Sequence, residues 1–153
     1  MESQQIPANN PALKSWVEVP SGSDFPIQNL PFGIFKTDTL SERAGVRIGD
    51  NVLDLKTLYV LGYLENLAFG SHDFDNVHLN HLMKKGKKAT RELRNRISKL
   101  LSTDHDDLKV NEHHVAQVLI PVDKVQMCMP VQIGDYTDFY SSREHATNVG
   151  TMF

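Results

Sequence analysis

The 153-residue chain has one cysteine, one tryptophan and no long hydrophobic run, and each shortage closes a class of explanation. Cys128 has no partner for an internal disulfide and no second thiolate for a zinc site built by this chain alone. Its place between Met127 and Met129 reads as a buried small hydrophobe rather than a nucleophile. The longest uncharged apolar stretch, Leu58 to Leu64, is interrupted by Gly62 and falls well short of the ~20 residues of a membrane span. The opening MESQQIPANNP has neither a basic nor an apolar leader region, so neither a secretory signal nor a membrane partner is expected. A reduced, cytoplasmic protein is the expectation. An excess of positive charge is also missing. The 16 Lys plus Arg stand against 19 Asp plus Glu, a formal charge of −3, which argues against a general polyanion binder. What is present, 40% hydrophobic and 23% charged residues, suffices for a real core.

Residues 1–15 are polar, rich in Pro and Asn, and read as a flexible arm. Trp16–Val19 reads as a short strand stopped by Pro20. Phe32–Phe35 and Gly45–Ile48 read as further strands, and Gly49-Asp50-Asn51 as the turn into Val52–Leu55. Short strands with tight turns suggest a small curled sheet or barrel rather than an open parallel sheet. Helical spacing then takes over. Asp54 is placed to cap a helix carrying Leu55, Leu58, Leu61 and Leu64. The polar stretch SHDFDN breaks it, and Asn76 is expected to cap a second helical region with Val77, Leu79, Leu82 and Met83. After Gly86, Ala89, Leu93, Ile97, Leu100 and Leu101 continue the helical pattern. Val115–Ile120 reads as β-prone, Pro121–Lys124 as a turn, and Val125–Met129 as apolar again. Ser141 or Ser142 is expected to cap a last helix that holds His145 and ends at Gly150.

Three constellations carry possible chemistry. Eight of the sixteen basic residues fall in one stretch, Lys84, Lys85, Lys87, Lys88, Arg91, Arg94, Arg96 and Lys99, opposed only by Glu92. Such a stretch could face phosphates or an acidic partner. No aromatic interleaves it, so a solvated outer helix face is the preferred reading and no nucleic acid is expected. His72, Asp73, Asp75, His78 and His81 form a second group, and His113-His114 a weaker one. No metal-ligand spacing supports either. The third is different in kind: Asp135, Tyr136, Asp138, Tyr140, Arg143, Glu144 and His145 crowd together between a strand-like run and a short helix. Asp138 offers a hard oxygen suited to Ca²⁺ or Mg²⁺. Tyr140 shares its face if the backbone is extended, and His145 could take a proton from water. A polar loop with a capped helix remains the plain alternative on the residues alone.

The run IGDYTDFYSSREHATNVG, residues 133–150, strongly resembles the signature that opens the catalytic part of the fumarylacetoacetase family. SDFPIQNLPFGIF, residues 23–35, and GVRIGDNVLDL, residues 45–55, resemble that family's amino-terminal domain in order and spacing. The resemblance implies a mixed β/α fold, mainly β, in which an SH3-like barrel with added helices spans residues 16–130. Residues 131–153 then begin a β-rich catalytic domain. It also implies a homodimeric metal-dependent hydrolase acting on the carbon–carbon bond of 4-fumarylacetoacetate, the last step of tyrosine and phenylalanine breakdown. By position, Asp138 resembles the first ligand of a Ca²⁺ and/or Mg²⁺ ion, Tyr140 a substrate-binding phenol, and His145 the general base. The acidic residues that complete the family's metal site are not found after Phe153. The chain is therefore expected to be an amino-terminal fragment, inactive alone. The rival reading is a free-standing binding or assembly module that uses the basic helix 84–99.

Overall fold

The computed structural model describes residues 6–153. Five short strands form one antiparallel sheet in the order β4-β3-β2-β1-β5: β1 Phe32–Lys36, β2 Arg43–Ile48, β3 Asn51–Asp54, β4 Leu119–Pro121 and β5 Gln126–Cys128. Strands β1 to β3 succeed one another as a meander, with Gly33 opposite Gly45 and Val46 opposite Leu53. The expected strands at 32–35 and 45–48 and the turn at 49–51 are all present. Gly49 has φ +48°, and a Cβ there would lie 2.4 Å from the Glu18 carbonyl oxygen, so this tight turn admits only glycine.

The sheet cannot be flat. Consecutive strands β4 and β5 pair with β3 and β1, on opposite edges of the sheet. A flat five-stranded sheet would hold its edges ~19 Å apart, at ~4.8 Å per strand. The link is a single 3-10 turn, Val122–Lys124, which advances only ~2 Å per residue. The two edges must therefore curl toward each other, which makes the sheet a half-barrel. Alternation then gives two faces. Ile34, Ala44, Val46, Ile48 and Leu53 face the helices in one buried core, while Phe35 and Val52 are buried on the opposite face.

Helices cover the first face: α1 Leu55–Val60, α2 Ser71–Phe74, α3 Asn80–Lys84, α4 Gly86–Leu101 and α5 Glu112–Val118. As the spacing predicts, α4 turns Ala89, Leu93, Ile97, Leu100 and Leu101 inward. Asp54 caps α1 as expected. Its Oδ1 accepts from the Thr57 N–H at 3.1 Å and its Oδ2 from the Thr57 hydroxyl at 2.7 Å. Arg43 on β2 reaches the same carboxylate at 3.4 Å, and the Asp54 side chain is fully buried.

Several local expectations are corrected. Trp16–Val19 is not a strand, because α4's carboxyl end takes up its polar groups. The Trp16 amide donates to the Leu101 carbonyl at 3.1 Å and its indole Nε1 to the Leu100 carbonyl at 2.8 Å, satisfying carbonyls a helix end leaves free. Val115–Val118 is helical, since Asn111 accepts from the His114 N–H at 3.0 Å and Val118 is pulled into the core. A local cap and burial outweigh the β preference of valine there. The second helical region starts at Asn80 rather than after Asn76, and α1 stops before Leu61, although Leu64 is still buried. Residues 71–74, within the polar break, form α2. Of the stretch read as a flexible arm, residues 1–5 lie outside the described residues. The rest is held down: Ala8 is buried, and Asn9 accepts from Arg94 at 2.5 Å.

Asp54→Ala removes a helix cap, an ion-pair partner and a hydroxyl acceptor together, and should cost about 2–4 kcal/mol in urea unfolding. Asp54→Asn, which keeps most of the cap, should cost less. A loss under about 0.5 kcal/mol for the alanine variant, the range of an ordinary surface change, would contradict this assignment.

Candidate functional site

The body of the domain releases its chain at a clamp. The Leu79 N–H donates to the Pro130 carbonyl at 2.8 Å, and Asn80 exchanges two hydrogen bonds with the Gln132 backbone at 2.8 and 3.0 Å. Beyond it, residues 133–141 make no hydrogen bond among the described residues. Their large side chains stand in solvent, with Tyr136 83% and Phe139 76% exposed. Helix α6, Arg143–Gly150, begins where Ser142, extended at φ −141°, accepts the His145 N–H on its Oγ at 3.1 Å. Glu144 lies in the first turn, where a carboxylate suits the helix dipole.

This cap fixes the one side-chain contact among the expected site residues. The Tyr140 and His145 rings lie 5.3 Å apart at 57°. Asp138 is not brought to either by a hydrogen bond, and it has no ion-pair partner among the described residues. Ca²⁺ takes about six to eight oxygens. The described residues contain no group of three or more His, Cys, Asp or Glu placed to hold a metal ion. Asp138 fits a hard cation by type, but a lone carboxylate does not fit it by number.

The other constellations resolve into structure. Asp73 is buried at the start of α2, where its Oδ2 accepts the Gly70 N–H at 2.8 Å and pairs with Lys85 at 3.1 Å. Burial pushes its carboxyl up, but the Gly70 bond and the charges of Lys85 and His72 outweigh that and hold it below the usual range. Asp75 is paired with Lys56 at 2.6 Å. His114 Nδ1 meets the Tyr63 hydroxyl at 2.7 Å, and His113 meets Gln117. In the basic stretch, Arg96 bonds the Tyr63 carbonyl and Asp107, and Arg94 bonds Asn9 and the Gln28 carbonyl. Those cations tie the helix to the body, while Lys84, Lys87, Lys88 and Arg91 are exposed. Cys128 is half-buried rather than buried. Burial and the nearby Glu42 carboxylate raise its thiol, which keeps it a poor nucleophile. The Asn80–Gln132 clamp escaped sequence reading because its partners lie 52 residues apart with no local signal.

Fold and site together define an α/β half-barrel domain that passes, through a clamp, into an exposed segment bearing a carboxylate, a phenol and an imidazole. The chain belongs to the fumarylacetoacetase family: the family model described as "Fumarylacetoacetase N-terminal" matches residues 28–130. It is 44% identical over 143 residues to the fumarylacetoacetase of Dictyostelium discoideum, covering 92% of this chain and 33% of that protein. It is 46% identical over 142 residues to that of Caenorhabditis elegans, covering 92% and 34%. The Homo sapiens protein is 41% identical over 140 residues, covering 91% and 33%. The chain thus spans about a third of the length of the curated relatives it matches.

Calorimetric titration of this chain with Ca²⁺ should give a Kd no tighter than about 1 mM, since one carboxylate is too few for a strong site; micromolar binding would contradict the geometry. Asp73 has a depressed folded-state pKa, so it stabilises the fold above its unfolded value of about 4 and loses that contribution as pH falls through the folded value. Asp73→Asn should therefore cost about 1–3 kcal/mol at pH 7 and flatten the loss of stability between about pH 5 and pH 2. Unchanged acid unfolding would be inconsistent with this role.

Proposed function

We propose that this chain is the front third of a fumarylacetoacetase, which hydrolyses 4-fumarylacetoacetate to fumarate and acetoacetate in tyrosine and phenylalanine breakdown. One observation carries the reading: residues 133–150 hold an unbroken carboxylate, phenol and imidazole signature. They do so in a chain 41–46% identical, over more than nine-tenths of its length, to proteins named fumarylacetoacetase. In this reading residues 16–130 are an SH3-like barrel with added helices, and residues 131–153 open a β-rich catalytic domain of a cytoplasmic homodimer. The half-barrel curl of the sheet supports the first part.

His145 is the proposed general base. Its imidazole takes a proton from water, and the resulting hydroxide adds to the carbonyl carbon beside the fumaryl double bond. The carbon–carbon bond to the acetoacetyl part then breaks, its electron pair leaving as an enolate that takes up a proton. The oxygen from water stays on fumarate. Tyr140, whose ring lies tilted beside the base, orients the substrate through its hydroxyl. Asp138 is the proposed first ligand of a Ca²⁺ and/or Mg²⁺ ion, which the described residues do not hold by themselves.

Protein expressed from the complete reading frame should release fumarate and acetoacetate in equal amounts, while this chain alone should give no appreciable turnover. In the complete protein His145→Ala should lower kcat by about 10²–10⁴-fold, and Tyr140→Phe should raise KM more than it lowers kcat. Turnover by the isolated chain, or a His145→Ala enzyme near the wild-type rate, would overturn the assignment.

A further inference from the structure

The half-barrel has two edges that are treated differently. Strand β4 ends in Pro121 and has α5 packed on it. Strand β5 pairs with β1 alone, and its three residues, Gln126–Cys128, carry neither charge nor proline. Met127 is 57% and Met129 65% exposed. Beside this edge, on the face away from the helices, lies a groove of about 190 Å³ walled by Phe25, Pro31, Val52 and Met127. Its floor includes Gly33 and Gly45, which are register partners on β1 and β2. A Cβ on Gly45 would lie 2.7 Å from Phe35 and Val52 side-chain atoms, and one on Gly33 2.8 Å from the Met127 methyl. The groove's one cation, Arg47, is already taken by the Gly49 carbonyl, Asp50 and the Phe25 ring. The groove therefore suits an apolar occupant rather than an acidic one.

We propose that β5 and this groove receive an extended, uncharged strand from the part of the polypeptide that the threefold longer relatives carry in addition. Backbone pairing would run along β5, with alternate side chains seated in the groove. The proposal rests on the reading of this chain as the front third of a longer enzyme. The occupant comes in cis for two reasons. The Pro130–Gln132 clamp, where the chain leaves the body, begins two residues after β5. An uncharged edge left bare would also pair with other copies.

Hydrogen exchange read by mass spectrometry on the complete protein and on this chain tests it. Amides of residues 125–129 should exchange at least about tenfold more slowly in the complete protein. Met127→Asp should restore the fast rate there while leaving the melting temperature of the short chain unchanged. Turnover of 4-fumarylacetoacetate by the same complete protein separately reports the front-third reading. A turning-over enzyme whose residues 125–129 exchange as fast as in the short chain would overturn the strand, and leave the functional reading standing. Protection that grows with protein concentration would assign the edge to a second copy, and protection untouched by Met127→Asp would empty the groove; either result defeats the proposal.

Discussion

A single buried carboxylate joins the sheet to the helices. Asp54 ends β3, begins α1, and holds Arg43 from the neighbouring strand. With Arg43, the Thr57 amide and the Thr57 hydroxyl all directed at it, the charge is paired and hydrogen-bonded in the way a dry interior demands. The direction in which α1 leaves the sheet is set by that cap. So is the burial of Leu55 and Leu58 in the helix against which α2 and α5 pack. Replacing the pair by apolar residues could keep the volume. It would lose the direction.

Around that junction the molecule divides into parts of different character. The body is a curled sheet with one helical face, closed at its entry by Trp16 on the end of α4 and at its exit by the Asn80–Gln132 clamp. Residues 133–153, past the clamp, are nearly all solvent-exposed, yet they include the side chains proposed to carry the catalysis. A rigid scaffold that presents reactive side chains on a connecting segment is a common division of labour. Here the segment is ordered locally by the Ser142 cap and the Tyr140–His145 contact, and not by the body.

Features set by neighbours in sequence were legible. The Gly49 turn, the Asp54 cap, the inward face of α4 and the serine cap of α6 all arise from residues within a few positions of one another. Features set by distant partners were not. Trp16–Val19 has strand-like composition, and only the free carbonyls of Leu100 and Leu101, over eighty residues away, show why it forms no strand. Arg43 gives no local sign that it will pair with Asp54, and Asp73 reads as a possible ligand until Lys85 and Gly70 are seen around it. Asp138, Tyr140 and His145 were legible as an ordered motif, because their spacing lies within one short run. The oxygens that would complete a metal site around Asp138 have no counterpart in that run.

A body folded around Asp54 stands apart from the segment that bears the candidate catalytic residues. Brief chymotrypsin digestion with mass spectrometry tests it most directly. First cuts are expected at Tyr136, Phe139 and Tyr140, leaving a core that ends near the Gln132 clamp and melts at the temperature of the whole chain. Early cuts within residues 16–130, or a core whose melting point falls once the segment is removed, would contradict it.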